Sequence, residues 1–240
     1  MQVDALAMVL RPRSMVEATD LGVRMVQTHA GQLWRTVWPV YALVVVLAAA
    51  CIDLGTWVPS LVLFWLKPWL DHSLLFVLSR AAFGQSTSFA DLLRARRAVW
   101  LRGLLSALTV QRLSPWRAYT LPVAQLEGQS TWARSVRRAI ILQGQRTHAA
   151  LMQFAFAQVE FSFGLGFWAL LVWLAPPGQR EGALEWLVRD RDSILLFFPY
   201  ALTVLLVEPY FVAAGFAMYL NRRVQLEAWD LEQEFRHVFG

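Results

Sequence analysis

The sequence predicts an all-α, polytopic membrane protein: about four transmembrane helices, some kinked, with amphipathic interfacial helices and a basic cytoplasmic loop. Three observations carry this expectation. Of 240 residues, 57% are hydrophobic and only 16% charged, more apolar surface than a soluble domain of this size needs to bury. The apolar residues fall into runs long enough to cross a bilayer, at 36–52, 57–84, 147–175 and 193–220. The arginines flank these runs rather than fill them, so the formal charge of +5 points to anionic lipid headgroups and not to nucleic acid. No internal repeat or soluble linker divides the chain, so one integral membrane domain over 1–240 is expected.

The opening "MQVDALAMVLRPRS" lacks the charged leader of a cleaved signal, so none is expected. Ser14 followed by Glu17 forms a capping box and starts a helix over 14–34. Met15, Ala18, Leu21, Met25, Val26 and Leu33 fall on one side of it, and Glu17, Asp20, Arg24 and Gln27 on the other. Such a helix lies in the inner interface, with Trp34 and Trp38 at headgroup level, or packs on the cytoplasmic part of the protein. The first span, 36–52, is uncharged, and "DLGT" at 53–56 turns the chain back. The second span, 57–84, carries Lys67-Pro68, Asp71 and His72, which predict a broken or kinked helix.

Residues 85–146 change character: ten arginines face only Asp91 and Glu127, a local balance of 10 − 2 = +8. This is the basic cytoplasmic loop. "WLRGLLSALTV" at 100–110 is too short to span and lies in the surface or dips in, so that re-entry of 99–111 is the alternative topology. "SPWRAYTLPVAQLEG" at 114–128 reads as loop, and 131–146 as a basic helix. Two further spans follow at 147–175 and 193–220, then a polar tail helix over 221–240. The arginine-rich segment belongs inside, and the turn at 53–56 and the balanced stretch 176–192 outside. Four crossings then place both termini in the cytoplasm, in a bacterial inner membrane.

The chemistry of most enzyme classes is missing. There is no G-x-x-x-x-G-K, no G-x-S-x-G and no H-E-x-x-H. His29, His72, His148 and His237 are scattered without metal-ligand spacing, and Cys51 is the single cysteine. No catalytic residue, cofactor or metal is expected.

What remains is charge inside the apolar runs. Glu208, Glu160 and Asp71 each lie roughly 12–13 residues from the inner end of their span, about 18 Å deep and near the midplane. An unpaired charge there costs about 2.5–3.5 kcal/mol, so these acids should face one another inside the bundle. Lys67 and Asp71, at i,i+4, are positioned to neutralise each other. Glu160 and Glu208 then have only Arg80 within reach, and one of the two is expected to hold a proton that it donates to the Leu205 carbonyl freed by Pro209. A satisfied kink is the preferred reading of Glu208-Pro209; a proton or cation relay and a partner-facing polar patch are the alternatives.

Four stretches, "RPRSMVEATDLGVRMVQTH", "LKPWLDHSLLFVLSRAAFG", "LSPWRAYTLPVAQLEG" and "VEPYFVAAGFAMYLNRRVQLEAWDLEQEFR", resemble a family of proteobacterial inner-membrane proteins of unassigned activity. More distantly, the chain is similar to the membrane domain attached to some glycerophosphodiester phosphodiesterases. The closer resemblance implies genes encoded beside a MoxR-type AAA+ ATPase and von Willebrand factor A-like and transglutaminase-like proteins. It implies other membrane subunits and a cytoplasmic ATPase system as partners, and no activity for this chain. The family's motif falls on Glu208, Pro209, Tyr219, Asn221, Arg222, Arg223, Glu227, Trp229 and Asp230. Arg222 and Arg223 there anchor the inner end of the last span, and Glu227 and Asp230 extend a charged ladder along the tail.

The expected function is thus a non-catalytic subunit or scaffold of an inner-membrane complex. The alternative is a transporter or channel for a small solute, ion or proton, using the intramembrane acids. Ala213 and Ala217, at small-xxx-small spacing, offer a possible homo-oligomer seam.

Overall fold

In the computed structural model, residues 13–101, 114–128, 131–175 and 193–227 are described, together with 109, 178 and 182. The helices are α1 (Met15–Ala49), α2 (Val58–Ala82), α3 (Phe89–Arg94), α4 (Arg117–Leu126), α5 (Thr131–Leu142), α6 (Arg146–Leu174) and α7 (Ser193–Glu227). A 3₁₀ turn, Ile52–Leu54, follows α1, and a π-helical turn, Arg97–Leu101, follows α3. Among the described residues there is no strand, and four helical stretches are long and apolar enough to cross a membrane: Met15–Leu54, Val58–Ala82, Arg146–Leu174 and Phe197–Glu227.

The capping box forms as the sequence predicts: the Glu17 N–H donates to Ser14 Oγ, and the Ser14 N–H donates to the Glu17 carboxylate, each at 3.2 Å. The structure then corrects the division that follows. The interfacial helix and first span do not part at residue 35 but join as α1, whose two helical stretches meet at a kink at His29 (φ −108°, ψ 16°), with Pro39 inside the second. The reason lies in its phase. The buried stripe of Ala18, Gly22, Met25 and Val26 resumes beyond the kink at Leu33, Val37, Val40 and Val44.

That stripe seats on α7, running antiparallel, and not on an open interface. Asn221 at one end accepts from the Arg13 N–H and donates to the Arg13 carbonyl, both at 2.9 Å. Toward the other end the Tyr41 hydroxyl donates to the Ala201 carbonyl. Between them the backbones touch: a Cβ on Gly22 would lie 2.5 Å from the Ala213 carbonyl oxygen. Ala213 and Ala217 are buried in the bundle, so the small-residue seam expected for a second copy is used within the chain.

The second span is continuous rather than broken, with Pro68 inside α2. The predicted loop at 114–128 is also corrected, since Arg117–Leu126 is a helix buried from Arg117 to Val123. Pro122 and the flanking Pro115 and Gly128 hide it in the sequence, because proline removes a helical donor and reads as a breaker. α4 packs on α7 so closely that a Cβ on Gly215 would lie 2.5 Å from the Ala118 backbone. The basic helix of 131–146 ends at Leu142, and Gly144, at φ +74°, turns the chain into α6. α7 runs unbroken from the last span into the tail as far as Glu227. The rest of the predicted tail helix and most of the proposed 99–111 re-entry lie outside the described residues.

Two apolar clusters form the core. One joins α1, α2 and α7 through Val44, Leu63, Leu70 and Val204. The other gathers Val26, Leu78, Tyr119, Phe216 and Tyr219. Along α2 and α7 the boundary between them falls at Lys67–Asp71 and at Glu208.

Candidate functional site: a buried ionic cluster

Four helices bring five charged side chains to this boundary: Lys67 and Asp71 from α2, Arg117 from α4, Glu160 from α6 and Glu208 from α7. Lys67 Nζ donates to Glu160 Oε2 at 2.7 Å and stands 2.7 Å from Glu208 Oε2. Arg117 Nη2 donates to the other Glu208 oxygen at 2.6 Å, and its Nε lies 3.1 Å from Asp71 Oδ2. The guanidinium carbon sits 4.9 Å from the Phe211 ring centre. Asp71, Lys67, Glu208 and Arg117 are each at most 4% exposed; the Glu160 side chain is 21% exposed.

Three expectations are corrected by this geometry. Lys67 does not pair with Asp71; one turn apart on α2, the two serve different partners, Lys67 the glutamates and Asp71 the arginine. Arg80 is not in the cluster, since its guanidinium lies over the Phe76 ring at 4.5 Å. Glu208 has each carboxylate oxygen against a cation, so it is not the donor that satisfies the Leu205 carbonyl. Pro209 follows it inside the continuous α7.

The residue missed was Arg117, and the signal for it was the charge count. Three deep acids with a single lysine need a second cation, and Arg117 sits in an otherwise apolar "PWRAYTLPV". Even with it, two cations face three carboxylates, and full ionisation leaves 2 − 3 = −1. Burying charges is tolerable only when they are paired and hydrogen-bonded. Arg117 Nη1 and Gln153 Oε1 have no hydrogen-bond partner of good geometry, and the Asp71 and Glu208 carboxyls stand against each other as well as against Arg117. Lys67, Arg117, Gln153, Glu160 and Glu208 line a cavity of about 110 Å³, which is polar and has room for several waters.

Around the cluster, second contacts fix the helices. Gln125 on α4 donates to the His72 carbonyl at 2.9 Å while its Oε1 lies 2.8 Å from His72 Nδ1. Trp100 donates to Ser73 Oγ at 2.8 Å.

A second network ties α4, α5 and α7 at the end of the bundle marked by Glu227. Tyr219 donates its hydroxyl to Glu127 at 2.7 Å, Arg137 bonds both Glu127 (3.0 Å) and Glu227, and Arg223 donates to Glu227 at 3.1 Å. Arg222 donates to the Gln143 carbonyl at 2.9 Å. Tyr219, Asn221, Arg222, Arg223 and Glu227 thus all make interhelical or end-of-helix contacts, while Trp229 and Asp230 lie outside the described residues. Glu127 and Arg137 were not singled out from sequence, because a lone acid and one of ten arginines in a basic stretch carry no pattern.

No protein-family model, no curated protein and no solved structure matches this chain. Among the described residues no group of histidine, cysteine, aspartate and glutamate has the arrangement that holds a metal.

Proposed function

We propose that the chain is a non-enzymatic, multi-pass subunit of a bacterial inner-membrane assembly, with both termini on the cytoplasmic side and the arginine-rich segment 85–146 entering the bundle from that side, its Arg117 carried in to Glu208. The observation that carries this reading is the coverage of α6. The most apolar stretch of α7 is 78% buried by the rest of the chain, whereas that of α6 has no residue buried. Opposite Glu160, α6 exposes Ala155, Gln158, Ser162, Gly166 and Ala169 along one face. An amide in hydrocarbon costs free energy unless it finds a partner, and small residues let another helix approach closely. Both properties support a neighbouring subunit on this face. The sequence resemblance nominates co-encoded membrane subunits and a MoxR-type ATPase system as the neighbours.

Gentle extraction from the host membrane tests the reading. Co-elution with further membrane subunits is expected, and Gln158→Leu with Gly166→Leu should release them without lowering the melting temperature of the isolated chain. A monomer free of partners in the mildest detergents overturns it.

A second reading, passage of a proton, ion or small solute, is favoured by the polar cavity beside Glu160 and Glu208. Reconstituted liposomes would then show a flux that Glu208→Gln abolishes, and absence of any flux removes this reading.

A further inference from the structure

An apolar groove of about 680 Å³ opens between α2, α6 and α7, walled by Trp57, Phe64, Phe161, Trp168 and Tyr200, with Glu160 among its lining residues. The same carboxylate lines the polar cavity behind it. Glu160 therefore joins an aromatic cleft to the ionic cluster, as the most exposed of its three carboxylates. We infer that this groove is a binding site for a lipophilic cation: an ammonium- or phosphonium-type centre on an apolar body, seated on aromatic faces with its charge against Glu160.

Three features select this class of ligand. The volume lies within the range of clefts that take small molecules, and its walls are almost wholly apolar. Aromatic faces attract a weakly hydrated cation, and most strongly where water is excluded. The charge balance adds the sign. Three carboxylates share two cations, and Glu160, the most exposed of the three, has Lys67 as its cation and shares it with Glu208. A bare inorganic cation needs several oxygen ligands, which an aromatic wall does not supply. A neutral lipid chain fills the groove but offers no charge to the Glu160 carboxylate. The inference does not depend on the chain having partner subunits.

The test is equilibrium dialysis of the full-length chain in detergent with tetraphenylphosphonium, and with triphenylphosphine oxide as a neutral aromatic probe. Saturable binding of the cation is expected, tighter than the neutral probe by about tenfold or more. Glu160→Gln should remove that preference and leave the neutral probe unchanged. Ser60→Trp, which fills the groove away from the ion pairs, should abolish binding of both. Should Glu160→Gln fail to fold, the Ser60 variant and the two-probe comparison still decide. Equal affinity for the two probes identifies a groove for neutral chains and overturns the inference. So does cation binding that survives Ser60→Trp, and so does a lack of saturable binding. None of these outcomes bears on co-purification with partners, so the two proposals stand or fall separately.

Discussion

Glu208 and Arg117 are the residues on which the interior turns. Each contacts two members of the cluster, so removing either leaves buried charge uncompensated. Arg117→Met strands Asp71 and one oxygen of Glu208, and breaking a buried pair in this way costs about 3–5 kcal/mol. Arg80→Met loses a contact with the Phe76 ring, worth about 1 kcal/mol or less at a partly exposed position, and a weak attraction to exposed Asp91. Thermal unfolding in detergent should therefore separate the two variants clearly; equal losses would show that the cluster contributes nothing special. The four acids and bases of the cluster other than Arg117 were legible in the sequence, because charge in an apolar run has few bland explanations. Their partners were not. Helical spacing put Lys67 beside Asp71, but adjacency on one helix does not decide between a neighbour on the same surface and a better-placed group on another.

Among the elements, α1 and α4 show where sequence patterns succeed and stop. The cap at Ser14 and Glu17 is a local signal and forms as read. The union of 14–34 with 36–52 depends on a tertiary fact, a single seam on α7, which no local window contains. α4 was concealed by its prolines and revealed by its burial. The glycines at these seams offer a direct check. Gly22→Ala and Gly215→Ala each drive a methyl into backbone, and overpacking of this kind costs about 1–3 kcal/mol. Gly31→Ala, on the same α1 with nothing within 4 Å of the new methyl, should be neutral or stabilising by up to about 1 kcal/mol. Matching melting temperatures for all three would contradict the backbone contacts described here.

For the whole molecule, the four long apolar helices were legible from composition, because apolar runs of seventeen residues or more with at most a few charges have few soluble uses. The threading of the bundle through a membrane remains a proposal and has its own test. In a Cys51→Ser background, Leu54→Cys lies in an exposed turn between α1 and α2, and Arg94→Cys replaces an exposed side chain at the end of α3. An impermeant maleimide applied to intact cells should label the first, and label the second only after the membrane is opened. The opposite pattern would invert the topology.

The pairing of α1 with α7 also has a consequence in time. α1 shares its buried face with α2, but that face is complete only once α7 has been made and Asn221 clasps the backbone of Arg13. Lys67 leaves the ribosome 93 residues before Glu160, and Glu208 comes later still. Through most of synthesis its one nearby acid is Asp71, a turn away on the same helix. The carboxylate nearest the ammonium along the chain is thus not the one that bonds it in the finished bundle, where its partners arrive from α6 and α7.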